Sequence, residues 1–249
     1  MSDMLNRYLC ASDSYSDFLA HHGILGQKWG IRRYQNPDGT LTEEGKKRYG
    51  KSIYNNTKFN NLNTWGKSKD TNVLYVTGQS GGGKSTLAEY MSDRSTSAIH
   101  LDAYFDSPYG DVKGNPASNK RFNDYLDKNF PDYVKLSLPK DKISLTDWGK
   151  VCEGFEEHVE KFGASEYVSG RKVICEGVEL LDDTMRPDKS FFKSKPTAIV
   201  NTSAITSSIR SRERDGVKLR SLDDIMREFK WYSQSRKDLN NFRKQAMTR

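Results

Sequence analysis

The chain has 249 residues, enough for one domain with a sizeable core and a short appendage. Aromatic residues make up 11% of it, which excludes a fully disordered chain, and no apolar run approaches the roughly 18 residues that a membrane-spanning helix needs. Lysine and arginine total 40 against 33 acidic residues, and the net charge of +7 favours anionic partners such as nucleotides, nucleic acid or anionic lipid.

Cysteine usage and the first residues of the chain indicate an intracellular protein. Cys10, Cys152 and Cys175 are scattered and have no CxxC spacing, so neither a zinc site nor a disulfide framework is expected. The first twenty residues carry charges throughout and lack the apolar stretch of a secretory signal. We therefore expect a protein that is neither secreted through a signal peptide nor bound to a membrane.

Residues 1–70 are predicted to form an appendage and a linker outside the core. Residues 35–40 (QNPDGT) are a strong turn signal, and a short helix is predicted to begin near Thr42 and to end at the basic residues 46–48. The asparagine-rich run at 54–63 is typical of a linker. The core domain is accordingly assigned to residues 71–249.

From residue 72 onward, short apolar runs alternate with helical patterns, which is the signature of an α/β fold with a parallel sheet flanked by helices. Each run is nearly continuous in apolar residues, as expected for strands covered on both faces. The sheet is predicted to have about five strands, of which four can be located in the sequence. These are residues 72–77, 98–102, 172–175 and 197–202.

Three helices are predicted later in the chain. One begins after Asn115, with Pro116 in its first turn. A second carries an apolar stripe at spacings of three and four from Trp148 to Phe162, and a long C-terminal helix begins after Ser221. The basic side chains of the C-terminal helix lie mostly on one face. Such a face is usually a solvated surface, and nucleic-acid contact there is a secondary possibility.

The most specific motif is GQSGGGKST at 78–86, which matches the pattern GxxxxGK[ST] between a predicted strand and a predicted helix. Glycines let backbone N–H groups turn towards phosphate at a helix N-terminus, a lysine adds a mobile cation, and a serine hydroxyl can bind Mg²⁺. We therefore assign a phosphate-binding loop, with a glycine-rich structural turn as the alternative. Its residues are Gly78, Ser80, Gly81, Gly82, Gly83, Lys84, Ser85 and Thr86.

Two carboxylates are predicted at the same edge of the sheet as this loop. Asp102 follows the second strand in the run LDAYFD, and Glu176 follows the third strand in VICEG. The carboxyl ends of parallel strands are where an open α/β sheet binds its ligand. After the fourth strand comes a helical stretch dense in arginine, at 205–216. Its arginines include Arg210, Arg212 and Arg214.

In this order the motifs resemble the small-molecule and nucleoside kinases of the P-loop class, of the uridine kinase-like or zeta-toxin-like kind, over residues 72–216. The resemblance implies the nucleotide-kinase type of P-loop NTPase fold and ATP and Mg²⁺ as cofactors. It also implies transfer of the γ-phosphoryl group of ATP to a hydroxyl group. Asp102 matches the residue that accepts the proton of that hydroxyl. Glu176 matches a residue that assists the metal, together with the hydroxyl of Ser85.

The stretch 205–216 matches a lid whose arginines grip the phosphates during transfer, and Arg212 is expected to bind the nucleotide. The acceptor is expected to bind to the insert at 103–171, where no segment matches the base-recognising segments of uridine kinases. The resemblance thus leaves the acceptor open. The expected catalytic cations are Lys84, Arg210 and Arg214.

Each of these assignments has a plainer alternative. Asp102 can instead cap a helix or bind the metal through water, and Asp106 is a rival base. A structural hydrogen bond can account for Glu176, and at least one lid arginine can be a solvated charge. His100 lies in an apolar strand, where a hydrogen-bonded core histidine is more common than a catalytic one.

A second resemblance involves residues 21–49. The string HGILGxKWGxRRYxxxDGxLTxxGxxRY is similar to a short module attached to assorted proteins of tailed phages, often proteins associated with the virion. The resemblance implies phage origin and a docking or virion-targeting role for residues 1–50. The adjacent His21 and His22 do not by themselves indicate a metal site.

The function expected from the sequence is therefore that of a phage-encoded phosphotransferase, located in the host cytoplasm or in the virion. Its acceptor would be a small molecule, a nucleoside or a nucleotide. Two alternatives stay open. One is a zeta-toxin-like or counter-defence kinase that acts on a cell metabolite. The other is a virion-associated structural or cargo protein that binds nucleotide without transferring a phosphoryl group.

Overall fold

The structure is a computed structural model of the chain. It describes residue 34 and residues 42–101, 116–131, 154–181, 188–203, 206–207 and 222–247. The chain divides into two compact units, Met1–Tyr49 and Gly50–Arg249. Among the described helices, none combines the length and the apolar composition that crossing a membrane requires.

Helix α1, Glu43–Asn56, begins in the first unit. The Thr42 hydroxyl accepts a hydrogen bond from the N–H of Gly45 at 3.1 Å, and the Thr42 N–H donates to the carbonyl of Tyr34 at 2.9 Å. A threonine that binds a free N–H of the first turn is a favoured helix cap. The predicted start of this helix is therefore confirmed, whereas its predicted end at 46–48 is wrong, because the helix continues to Asn56. Most of the module at 21–49 lies outside the described residues.

The second unit contains a five-stranded sheet. Its strands are β1 (Thr57–Asn60), β2 (Val73–Gly78), β3 (Thr96–His100), β4 (Lys172–Glu176) and β5 (Thr197–Val200). Their order across the sheet is β1-β5-β2-β4-β3. Strands β2 to β5 are parallel, whereas β1 pairs antiparallel with β5. The predicted α/β class and strand number are confirmed, and the sheet is mostly rather than wholly parallel.

Strand β1 comes from the run at 54–63 that was predicted to be a linker. The ring of Phe59 packs against that of Tyr54 with centroids 4.8 Å apart, and both rings contact the core. The amide of Asn61 donates to the carbonyl of Lys193 at 2.7 Å. The linker prediction is wrong for Thr57–Asn60, because pairing with β5 and burial of Phe59 outweigh the low strand propensity of asparagine.

Successive residues of each strand point to opposite faces of the sheet, and each face has its own core. The described helices that cover the sheet are α2 (Lys84–Met91), α3 (Pro116–Asn129), α4 (Phe155–Val168) and α5 (Leu222–Met247). On one face, Leu74, Val76 and Ile174 pack against Leu87 and Ala88 of α2. The other face packs against α3, α4 and α5.

The predicted elements are present among the described residues, with shifted ends. The second strand, predicted at 98–102, lies at Thr96–His100. Helix α4 begins only after Gly154, whose φ of 76° is left-handed, so the apolar stripe predicted from Trp148 joins the described helix at Phe155. A left-handed residue ends the regular helical path, which explains this boundary.

The connections that leave β2 and β4 cover opposite faces of the sheet. From β2 the chain passes through α2 to β3 on one face. From β4 it passes through the short 3₁₀ helices Glu179–Leu181 and Lys189–Lys193 to β5 on the other face. Since β2 and β4 are neighbours, their carboxyl ends form a topological switch point, the crevice in which open α/β sheets bind ligands.

Candidate functional site

The loop between β2 and α2 turns on glycines. Gly81 and Gly83 have φ values of 68° and 98°, in the left-handed region that residues with a Cβ rarely adopt. The N–H of Gly82 donates to the carbonyl of Gln79 at 2.9 Å, and a Cβ on Gly82 would lie 2.7 Å from that oxygen. The turn itself therefore requires glycine at these positions.

Helix α2 begins directly after this turn, at the switch point. No side chain among the described residues caps its N-terminus. The first N–H groups of a helix have no partner within the helix and carry the positive end of its dipole, so they attract anions. The predicted loop residues all lie here, from the end of β2 to the first turn of α2. In chain order they are Gly78, Ser80, Gly81, Gly82, Gly83, Lys84, Ser85 and Thr86.

Lys84 is buried beneath the loop. It is 5% exposed, and its one hydrogen bond to a described residue is a long one of 3.4 Å, from Nζ to the carbonyl of Gln79. An ammonium group has three donors, and a buried charge is stable only when it is paired. Lys84 is therefore poised to exchange this contact for a bond to an anion.

Ser85, Glu176 and His100 meet beside the loop. The Ser85 hydroxyl donates to Oε1 of Glu176 at 2.9 Å, and Nδ1 of His100 lies 2.6 Å from the same oxygen. His100 and Glu176 end the neighbouring strands β3 and β4 and are partners in the register, so their side chains lie on one face of the sheet. The sheet thus brings together Ser85 and Glu176, which the sequence predicted as a pair, and adds His100.

Glu176 has the properties of a ligand for a cation. It is 3% exposed, and its Oε2 is buried with no hydrogen-bond partner among the described residues. A buried oxygen of this kind requires an explanation, because leaving it unpaired is costly. A carboxylate and a hydroxyl are oxygen ligands of the type that Mg²⁺ takes in nucleotide sites. The pair of Ser85, which is exposed, and Glu176 therefore fits Mg²⁺.

The end of β5 supports the loop from the other side. Thr202 donates its hydroxyl proton to the carbonyl of Gly82 at 2.8 Å. A Cβ on Gly78 would lie 2.9 Å from the carbonyl of Val200, so the loop also needs glycine where it passes β5. Sequence reasoning missed Thr202. The available signal was a hydroxyl just after a strand that ends at the same edge of the sheet.

Gln79, at a variable position of the loop pattern, connects the loop to the C-terminal helix. It is 1% exposed, and its Nε2 donates to the carbonyl of Tyr232 at 3.0 Å. The Tyr232 hydroxyl in turn donates to the carbonyl of Ser207 at 3.3 Å. This chain of bonds joins the loop to α5 and to Ser207, near the start of the predicted lid at 205–216. No sequence signal pointed to Gln79, because the pattern leaves its position free.

The predicted base and the arginines of the predicted lid are not among the residues that the structure describes. The insert at 103–171 is described only in part, at 116–131 and 154–171. The site as described therefore comprises the loop, the start of α2 and the ends of β3, β4 and β5. The predicted residues that lie outside the described part are Asp102, Asp106, Arg210, Arg212 and Arg214.

Comparison with known proteins does not assign the chain to a family. No family model matches the sequence, and no curated protein matches it. What the fold and the site define is an α/β protein whose mostly parallel sheet carries a glycine loop, a buried lysine and a buried carboxylate at its switch point.

Proposed function

We propose that this chain is a P-loop phosphotransferase that moves the γ-phosphoryl group of ATP to a hydroxyl group of a small molecule, nucleoside or nucleotide. The observation that carries the proposal is the 2.9 Å contact between Ser85 and Glu176 beside a glycine loop. A hydroxyl and a carboxylate next to a phosphate-binding loop are the protein ligands that a Mg²⁺–nucleotide complex uses. The position of the pair at the switch point also supports this class.

In this proposal the loop and the start of α2 bind the β- and γ-phosphates. The N–H groups at the helix N-terminus form the anion site. Lys84 gives up its long bond to the Gln79 carbonyl and binds a phosphate oxygen instead. The exchange is favourable, because an anionic phosphate oxygen attracts the ammonium charge more strongly than a neutral carbonyl oxygen does.

Ser85 and Glu176 would hold Mg²⁺, which when bound neutralises part of the phosphate charge. Asp102, two residues after the last residue of β3 in the sequence, is the proposed base. It orients the acceptor hydroxyl and takes its proton as the acceptor oxygen bonds to the γ-phosphorus. The bond from the γ-phosphorus to the oxygen that bridges it to the β-phosphate breaks, and ADP leaves.

The lid at 205–216 completes the proposed site. Arg210 and Arg214 stabilise the charge on the transferred group, and Arg212 binds the nucleotide. Residues of the insert at 103–171 bind the acceptor. These roles follow from the resemblance to P-loop kinases.

The experiment incubates the protein with ATP, Mg²⁺ and a pool of nucleosides, nucleotides and sugars, and detects ADP and phosphorylated products by mass spectrometry. Lys84→Ala and Asp102→Asn should each lower the rate of transfer about 100-fold or more, since each removes charge stabilisation or the base. Lys69→Ala is the matched control, because this lysine is exposed in the short 3₁₀ helix Lys69–Thr71 that precedes the amino end of β2, away from the loop at its carboxyl end. It should transfer at the wild-type rate.

The outcomes separate the competing functions. Wild-type rates in both Lys84→Ala and Asp102→Asn would reject the assigned site. Binding of ATP with no phosphorylated product from any acceptor would favour the virion-associated protein that only binds nucleotide. A product formed solely from a metabolite of the host cell would favour the toxin or counter-defence kinase.

A further inference from the structure

His100 is a buried polar residue that the proposed reaction does not use. It ends strand β3, is 6% exposed, and has its Nδ1 atom 2.6 Å from Oε1 of Glu176. The glycine-loop pattern says nothing about this position. A histidine in an apolar strand often has a purely structural role, with its ring hydrogen-bonded inside the core. The contact of His100, however, is with Glu176, a candidate ligand of Mg²⁺.

When Glu176 is ionised, the contact requires a proton on Nδ1 of His100, because an ionised carboxylate only accepts hydrogen bonds. The same Oε1 atom also accepts from the Ser85 hydroxyl at 2.9 Å. Two donors therefore converge on one carboxylate oxygen. The other oxygen, Oε2, is the one without a partner among the described residues.

Two donors on one oxygen restrict the rotation of the carboxylate. The terminal torsion of a glutamate side chain has a broad, roughly two-fold energy profile, so the group turns easily unless its neighbours hold it. Ser85 alone is a weak constraint, because it is exposed and would itself be engaged by a metal. His100 is buried and lies opposite Glu176 in the strand register, so its position is set by the sheet.

We propose that His100 is a positioning residue for Glu176. Its Nδ1–H holds the carboxylate so that Oε1 stays beside Ser85 and Oε2 remains available to the cation that accompanies the nucleotide phosphates. The inference rests on the proposed function, because it requires a nucleotide with a divalent cation at this loop. Hydrogen-bond partners of this kind orient metal ligands, and their loss lowers metal affinity.

The test compares two substitutions that differ in the donor. His100→Leu removes the donor while keeping an apolar side chain of similar reach, and His100→Asn retains an N–H donor near the position of Nδ1. The full-length protein at saturating ATP is titrated with MgCl₂ by isothermal calorimetry, and ATP binding is also measured in EDTA. The readout is thus binding rather than turnover.

We expect the Mg²⁺ affinity to fall when the N–H donor at position 100 is removed and to be largely kept when the donor is retained. His100→Leu should weaken the apparent Mg²⁺ affinity about ten-fold, the low end for loss of a residue that orients a metal ligand. His100→Asn should stay within about three-fold of wild type on the same reasoning. ATP binding in EDTA should be equal in all three proteins, because the loop is unchanged.

Two results would overturn the role of His100. One is a wild-type Mg²⁺ titration for His100→Leu, and the other is a His100→Asn protein as weak as His100→Leu. A wild-type protein that binds ATP no better with Mg²⁺ than in EDTA would instead reject the proposed function. The two failures are therefore distinguishable.

A measurement on the wild-type chain covers the case in which His100→Leu fails to fold. Long-range ¹H–¹⁵N correlation spectra report the tautomer of each histidine, and the His100 signal is identified by its loss in His100→Asn. We expect the proton on Nδ1. A neutral ring with its proton on Nε2 alone would contradict the proposal, because Nδ1 could then not donate to Glu176.

Discussion

Replacing Glu166 by glutamine should destabilise the second unit by about 2 kcal/mol, because it removes the charge that binds Arg171. Glu166 lies on α4 and is 5% exposed. Its carboxylate accepts from Nε and Nη2 of Arg171 at 2.7 and 2.6 Å and from the hydroxyl of Ser97 at 2.6 Å. These bonds tie α4 to β3 and to the residue before β4.

The magnitude follows from the burial of the two partners. Breaking a fully buried ion pair costs about 3–5 kcal/mol, because the remaining charge is left without a partner. The Arg171 side chain is 32% exposed and can regain water, so the cost is smaller. A glutamine keeps one acceptor for Ser97 or Arg171, which lowers the cost further. About 2 kcal/mol remains, in the range of a hydrogen bond to a charged group.

The assay is urea unfolding of wild type, Glu166→Gln and a matched control. Glu157→Gln is the control, because Glu157 lies on the same helix and pairs with Lys161 at the surface, with its side chain 65% exposed. The control should unfold at the wild-type midpoint. Equal midpoints for Glu166→Gln and wild type at pH 7 would refute the reasoning.

The pH dependence supplies a second check with a definite sign. Burial raises the pKa of Glu166, but hydrogen bonds from Arg171 and Ser97 outweigh it and leave the pKa below its usual value of 4.5. The stabilisation is therefore complete above the pKa of the unfolded chain and is lost as the pH falls through the lower folded pKa. The stability difference between wild type and Glu166→Gln should be constant near neutral pH and shrink below about pH 4.5. A difference that grows in acid would contradict this assignment.

Two further predictions concern packing and the N-terminal segment. A Cβ on Gly163 would lie 2.4 Å from Cγ2 of the buried Val73. Gly163→Ala should therefore lower the free energy of unfolding, measured in urea, by about 1–3 kcal/mol. Ser165→Ala is the control, because Ser165 is exposed on the same helix, and it should leave the free energy of unfolding unchanged. If the resemblance of residues 21–49 to a phage module reflects targeting, deleting residues 1–41, which spares α1, should leave ATP binding intact but remove the protein from purified phage particles. Unchanged incorporation would reject a targeting role for the deleted residues 1–41.

Much of the core follows from local sequence patterns. Continuous apolar runs located β2, β4 and β5 to within two residues, because a strand covered on both faces needs apolar side chains throughout. The glycine loop could be predicted because its left-handed turn at Gly81 and Gly83 tolerates almost no other residue. The contact between Ser85 and Glu176 could also be predicted, because the strands that lead to these two residues end at the same edge of the sheet.

Other features depend on contacts between distant residues. The local sequence of residues 57–60 does not favour a strand. These residues form one because β5 offers an antiparallel partner. His100 and Glu176 are 76 residues apart, and only the adjacency of β3 and β4 in the strand order places their side chains in contact. Gln79 meets Tyr232 across 153 residues, through the docking of a helix.

The amino-acid sequence by itself thus determined the α/β class, the glycine loop and the identity of the candidate ligands, because each depends on local conformation or on side-chain chemistry. The tertiary structure alone decided the strand order, the switch point between β2 and β4, and the contact of His100 with Glu176. Strand order is not encoded in any local pattern. It results from which buried faces and edges fit together once the whole chain is folded.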